Sequence, residues 1–346
     1  MGPVKPWQPC AWGVSNRTRY VDYVDGLARR VERVDDVGNV NVLLIQSVSP
    51  LPADAQATCG QRPKIESKNE WIDSDAPAAL EVRKARSGHL LVRPRFDGEE
   101  VGWLMFDTGA PVTTISPTKA AQLGLEEVGV TQLGGAGSKI SSVRLLRAAG
   151  LELGPLVLEN PLLTEFDTLG REPVGIIGWD ALIHTVVEID MLKGSIAIYA
   201  RNDYELPAGE WRAMTLHLRH PAVWGTFAGG DEGLFRIDTG AGSLGVMFHS
   251  PTVQKFDLLS DRKTEPFQAS GAGGRLNLRS GTLDWFELAG HRTENSQALF
   301  CMDESGALAD ANLYGNLGGG VLKPFILAFD YQGKRVGFVP RKELAK

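Results

Sequence analysis

Two aspartates in this chain have the setting to act together. Asp107 and Asp238 each open the tetrapeptide Asp-Thr-Gly-Ala, and each comes after an apolar run, residues 101–106 (VGWLMF) and 234–237 (LFRI). An aspartate where an apolar strand enters a turn is partly buried. The glycine two positions on allows close backbone approach and can donate an N–H to the carboxylate. The threonine between them can bond across to the other copy's backbone. Packed about a pseudo-two-fold axis, Asp107 and Asp238 would face each other, share one proton and titrate in two steps. Such a pair can split water. One carboxylate takes a proton from it, and the protonated one polarises a substrate carbonyl. That chemistry needs no metal, no cofactor and no nucleophilic side chain.

The elements that must position this pair are duplicated. In the first copy, residues 89–96 (HLLVRPRF) read as a strand, Asp97-Gly98 as a hairpin turn, and residues 101–106 as the return. In the second, residues 215–227 supply the strand, Gly229-Gly230-Asp231 the turn, and 234–237 the return. Ser116-Pro117 and Ser250-Pro251 then mark helix starts, with the serine able to cap and the proline suited to the first helical position. Glycine-rich turns come next, at 134–137 and 271–274. Each copy closes on an apolar pair with a glycine, Ile176-Ile177-Gly178 and Leu317-Gly318, and an aspartate lies further on, Asp190 and Asp330. Both of these aspartates read as turn formers. A repeat of about 120 residues means a duplicated β-domain rather than a solenoid.

These residues resemble the pepsin/retropepsin clan of aspartic proteases. The likeness rests on FDTGA (106–110), IDTGA (237–241), VGIIG (174–178) and NLG (316–318) with residues 325–338 after it, and it extends over about residues 88–340. It implies an all-β fold of two pseudo-symmetric β-barrel lobes with a cleft between them. The catalytic pair would be Asp107 and Asp238, supported by Thr108, Gly109, Thr239, Gly240, Gly178 and Gly318. The substrate would be a polypeptide, cut within the chain by a monomer that needs no cofactor. Hairpins around 133–147 and 268–283, with Gly135, Gly137, Gly271 and Gly273 at their turns, are flap candidates. Three departures stand out. Alanine comes after each DTG where two-lobed pepsins usually carry serine or threonine, so one fewer hydroxyl steadies the carboxylate and a working range less acidic than pepsin's is expected. No tyrosine lies between Ser116 and Ile198 to match a flap tyrosine. Asn316 stands where the second closing segment should be apolar, and Tyr314-Gly315 offers another alignment.

Other features read as packing or surface. Residues 240–245 match GxGxxG, but the first copy has Pro111 at that place and no βαβ alternation surrounds the motif. His217 and His220 form H-x-x-H without a third ligand nearby. Trp179 reads as core or pocket lining, and Asp203, Glu205 and Glu210 as a solvated linker. The 346 residues carry 36 basic against 42 acidic side chains, net charge −6, which gives no electrostatic reason to expect nucleic acid. With 43% hydrophobic residues the chain can bury a core; 40 glycines and 19 prolines favour turns and strands. No apolar run is long enough to span a bilayer. The three cysteines, Cys10, Cys59 and Cys301, form no disulfide framework.

The expected division is an extension over 1–85, a first lobe over 86–207 and a second over 208–346. The apolar stretch 40–45 with Ala55-Gln56-Ala57 after it resembles an export-signal cleavage region, which would make the protein secreted or periplasmic. Asp35 and Asp36 directly before the stretch argue against that, and the other reading is cytoplasmic with a pro-segment or plain extension. Two other functions compete with proteolysis: a catalytically inactive peptide-binding module on the same fold, and a carboxylate-pair glycosidase. Few aromatic residues flank the motifs, which disfavours the second.

Overall fold

The computed structural model describes four strands between residues 8 and 44 by their backbone, and residues 70–341 apart from 74, 168–171 and 184. The chain separates into two compact units, Met1–Glu66 and Ser67–Lys346. In the first, Gln8–Pro9, Arg17–Val24, Leu27–Val34 and Val40–Leu44 form an antiparallel sheet in sequence order. A sheet here differs from the plain extension that the sequence pattern suggests. Its two long strands, Arg17–Val24 and Leu27–Val34, mix charged with β-branched residues, a weaker signal than a buried strand gives. The Ala55–Ala57 cleavage region lies outside the described residues, as do Cys10 and Cys59.

The second unit is all-β and holds both copies. Two eight-stranded sheets share one strand order. The first runs Glu126–Leu133, Ser141–Arg147, Leu162–Glu165, Thr114–Ile115, Gly175–Ile177, Leu104–Phe106, Leu90–Val92, Val82–Lys84. The second runs Glu265–Gly271, Gly274–Leu288, His291–Cys301, Val246–Phe248, Gly315–Leu317, Gly233–Ile237, His220–Phe227, Thr215–His217. Each sheet thus threads the strand that ends in the motif aspartate between the closing segment, parallel to it, and the preceding hairpin strand, antiparallel to it. Phe106, Ile177, Ile237 and Leu317 are fully buried by this arrangement. The Asp97-Gly98 turn joins Arg95–Phe96 to Glu99–Glu100, both turn residues having positive φ as a two-residue hairpin demands.

A third sheet is built from the segments C-terminal to the two closing glycines. Thr185–Asp190 pairs antiparallel with Phe325–Asp330, flanked by Ser195–Ala200 on one side and by Arg335–Pro340 and Glu210–Ala213 on the other. Asp190 and Asp330 do form turns, accepting from the N–H of Lys193 (2.6 Å) and Gly333 (2.8 Å). Both are buried and paired as well, Asp190 with Arg341, Asp330 with Arg201 and Arg335. Strands Glu70–Ile72 and Val82–Lys84 belong to the same unit as the copies, pairing with Leu156–Glu159 and Leu90–Val92.

The two helix starts differ. Ser116 caps Pro117–Gln122 through the Lys119 N–H (3.3 Å). In the second copy the helix Ser250–Lys255 begins one residue earlier, so Ser250 lies inside it and bonds the Asp303 carbonyl (2.5 Å). The cap position falls to His249, whose ring is held elsewhere. Among the described residues no helix is long and apolar enough to cross a membrane.

Candidate active site

Each motif aspartate is fixed first by its own sheet. The Asp107 N–H donates to the Ile177 carbonyl (3.1 Å) and the Asp238 N–H to the Leu317 carbonyl (3.0 Å), so the closing segments hold both loops from below. Gly178 and Gly318 come directly after. The Gly178 N–H bonds the Thr113 hydroxyl (3.2 Å), and the Gly318 N–H bonds the Gly245 carbonyl (3.1 Å). Two glycines of the GxGxxG stretch pack here: Gly245 accepts from Gly318, and Gly242 accepts from the Gly319 N–H (2.7 Å).

The two loops then lock to each other. The Thr108 N–H donates to Thr239 Oγ1 (3.0 Å), and the Thr239 N–H donates to Thr108 Oγ1 (3.1 Å). Each hydroxyl passes its own proton across, Thr108 Oγ1 to the Ile237 carbonyl (2.9 Å) and Thr239 Oγ1 to the Phe106 carbonyl (3.0 Å). Both threonines are fully buried, so the four bonds form a closed, water-free network.

This lock brings the carboxylates together. The Gly109 N–H (2.7 Å) and the Gly240 N–H (3.1 Å) both donate to Asp107 Oδ1. A Cβ on Gly109 would fall 2.5 Å from Asp238 Oδ1 and 3.1 Å from Asp107 Oδ1, so one atom-sized point touches both carboxylates. A Cβ on Gly240 would collide with the Asp107 carboxylate. Only glycine fits at these two places. Burial first, then the charge of Asp238, pushes Asp107 up to about 7; the two glycine N–H groups and Arg236 pull the other way.

Several neighbours of the pair escape a reading of the sequence alone. Asn316, there a flaw in the apolar motif, donates from Nδ2 to Asp238 Oδ2 (2.7 Å). Its Oδ1 meets His249 Nε2 (2.9 Å), and His249 Nδ1 meets the Asp310 carbonyl (3.0 Å). His249 is fully buried, and burial works against its charged form. A pair of histidines reaches across the molecule. His89 Nε2 bonds the Gly240 carbonyl (2.8 Å) while the Ser87 hydroxyl bonds its Nδ1 (2.7 Å). His220 bonds the His217 carbonyl (3.1 Å) and also faces the backbone of Gly109; burial, then Arg236, pushes it down to about 4. A sequence signal for this pair exists. His89 aligns with His220, Val92 with Val223 and Phe96 with Phe227, in the same register that aligns Asp107 with Asp238. His217 of the H-x-x-H pair bonds Asp310 (2.6 Å).

The flap candidates meet tip to tip. The Gly137 N–H donates to the Ala272 carbonyl (2.8 Å) and the Lys139 N–H to the Gly273 carbonyl (3.1 Å). Gly135 accepts from the Ala307 N–H (3.1 Å), and Gly271 pairs with Gly274 across the second hairpin turn. Trp179 packs against the core, with the Arg219 guanidinium 5.3 Å from its ring centroid. Asp203, Glu205 and Glu210 are exposed.

Residues 92–181, which carry the first Asp-Thr-Gly loop and its closing Ile-Ile-Gly segment, match the family model described as aspartyl protease. The match runs from the end of strand Leu90–Val92 into the short helix Trp179–Leu182. The second copy, with Asp238, lies beyond it. No curated protein matches the chain.

Proposed function

We propose that the protein is an aspartic endopeptidase whose dyad is Asp107 and Asp238, one from each of two lobes. What carries the reading is the reciprocal threonine lock, which places two carboxylates from distant parts of the chain against one point. Asp107 keeps the shared proton up to about pH 7, and Asn316 donates from Nδ2 to Asp238 Oδ2. Asp238 then takes a proton from water as its oxygen attacks the peptide carbonyl carbon, and Asp107 gives its proton to the carbonyl oxygen. In the resulting gem-diol a proton passes from the diol to an aspartate and from the dyad to the amide nitrogen; the C–N bond breaks, leaving a carboxylic acid and an amine. Both carboxylates belong to one chain, so a monomer suffices. The joined hairpin tips suit a substrate bound extended, bonded along its backbone.

The test is digestion of casein or a peptide library by the wild type, Asp107→Asn and Asp238→Asn, with and without a transition-state-mimicking aspartic protease inhibitor. Cleavage by the wild type alone, blocked by the inhibitor, supports the reading. Peptides bound but never cut would make the protein a binding module, and undiminished cleavage by either variant would remove the dyad.

A further inference from the structure

Two residues ahead of each aspartate the copies diverge. Strand alternation puts Met105 on the face of Asp107, and Arg236 on the face of Asp238, while Phe106 and Ile237 turn into the core. Met105 stands opposite Leu91 on one neighbouring strand and Ile176 on the other. Arg236 occupies the matching place between Ala222 and Asn316. One side of the dyad is therefore flanked by three apolar residues and the other by an arginine, an alanine and an amide.

Arg236 is only 5% exposed, and its Nε is buried without a hydrogen-bond partner. Among the described residues its guanidinium forms no ion pair. Asp238, Asp310 and Asp107 lie near enough to favour its charge, against burial. Each of these carboxylates is engaged elsewhere. Asp238 takes the Asn316 amide; Asp107 takes the Gly109 and Gly240 N–H groups; Asp310 takes His217 and Asn312. Ala222, directly opposite, has no side-chain acceptor. A buried guanidinium with an idle Nε donor favours a further acceptor of opposite charge. A planar, five-donor fork suits a carboxylate in two-point contact.

We propose that Arg236 recognises a carboxylate carried by the substrate beside the bond to be cut. The inference rests on the proteolytic reading above. Residues two apart on a strand are about 7 Å apart, so the group bound by Arg236 belongs to a residue next to the scissile bond. The carboxylate is either an acidic side chain or the free C-terminus of a peptide, and the apolar side around Met105 receives the residue across the cut.

The experiment compares kcat/KM on two matched peptide sets. One carries Glu, Gln or Leu at either position flanking the cut, with both termini blocked; the other carries a free or amidated C-terminus one residue beyond the cut. Wild-type protein should favour the carboxylate over its amide counterpart by about 10- to 100-fold in one set, as a charge-assisted contact implies, and that set names the source. In Arg236→Met the ratio should collapse towards unity, and in Arg236→Lys part of it should remain. The ratio within each protein is the readout, so a general loss of activity or stability does not obscure it. A wild-type ratio near one, or a full ratio retained in Arg236→Met, would overturn the inference and leave the protease reading intact. If no peptide is cut, the protease reading fails instead. Fluorescence titration of the same peptides into Asp107→Asn then decides: tighter binding of the carboxylate peptides supports recognition by Arg236, and equal binding ends it.

Discussion

Ile176 and Asn316 occupy equivalent places in the two copies, as do Met105 and Arg236, and Leu91 and Ala222. One member of each pair fits an apolar surface. The other is polar, charged or reduced to a methyl group. Positions that turn inward have kept apolar character: Phe106 matches Ile237, Ile177 matches Leu317, Phe96 matches Phe227, all fully buried. The core tolerates only hydrophobic volume, so both copies obey the same packing rule there. The face towards the dyad is free of that rule, and there the copies have taken different chemistry. The supporting aromatics differ too. Around the second motif Phe227, Phe235, Phe248 and Phe286 meet edge to face, whereas leucines such as Leu90, Leu104 and Leu163 fill the first.

The comparison breaks hardest at the aspartates, which are the same in both copies. Asp107→Asn and Asp238→Asn should each lower kcat/KM by at least about a thousandfold, because one proton donor or acceptor is lost from a two-part device. A much smaller loss in one variant would show the halves to be chemically unequal. Next come the threonines. Thr108→Val and Thr239→Val each delete a hydroxyl that accepts one bond and donates another, stranding buried backbone groups. Both should lower unfolding free energy by about 1–3 kcal/mol in denaturant titrations, and by similar amounts if the lock is symmetric.

Asn316→Leu makes the second copy resemble the first. It removes the donor to Asp238 and strips His249 Nε2 of its partner. A roughly tenfold drop in kcat with KM little changed is expected, of the size one lost hydrogen bond to a charged group produces. A KM effect alone would move Asn316 from the dyad to substrate binding.

The aspartates also carry a pH dependence. Asp107 has a folded-state value near 7 against 3.8 for the ordinary group. Its stabilising contribution is therefore complete below about pH 3.8, declines as pH rises, and is gone once pH passes about 7. Asp107→Asn lacks this titration. Its melting temperature should gain on the wild type by a few degrees between pH 4 and 7 and keep a constant lead above that. A difference that does not vary with pH would mean the proton is held elsewhere.

Much of the arrangement can be read in the letters alone, because it depends on local pattern. Asp-Thr-Gly after an apolar strand, the closing Ile176-Ile177-Gly178 and the Asp97-Gly98 turn state their geometry within a few residues. The contribution of Asn316 cannot be read this way, since an amide inside an apolar motif acquires meaning only when Asp238 and His249 close on either side of it. Arg236 likewise passes as part of the return strand until its burial between the strands of Ala222 and Asn316 is seen. His89 and His220 are within reach through their register with the aspartates, but the contacts they make cross between copies. At the other end of the chain, Arg17–Val24 mixes charge with β-branched residues, and its strand character depends on pairing with Leu27–Val34.

The third sheet bears on how the chain is made. Val186–Ile189 hydrogen-bonds along Leu327–Asp330, so a strand must wait for a partner made about 140 residues after it. Until then it offers an open edge to any passing strand, and closure of such distant pairings is slow. Completion of this sheet closes that edge.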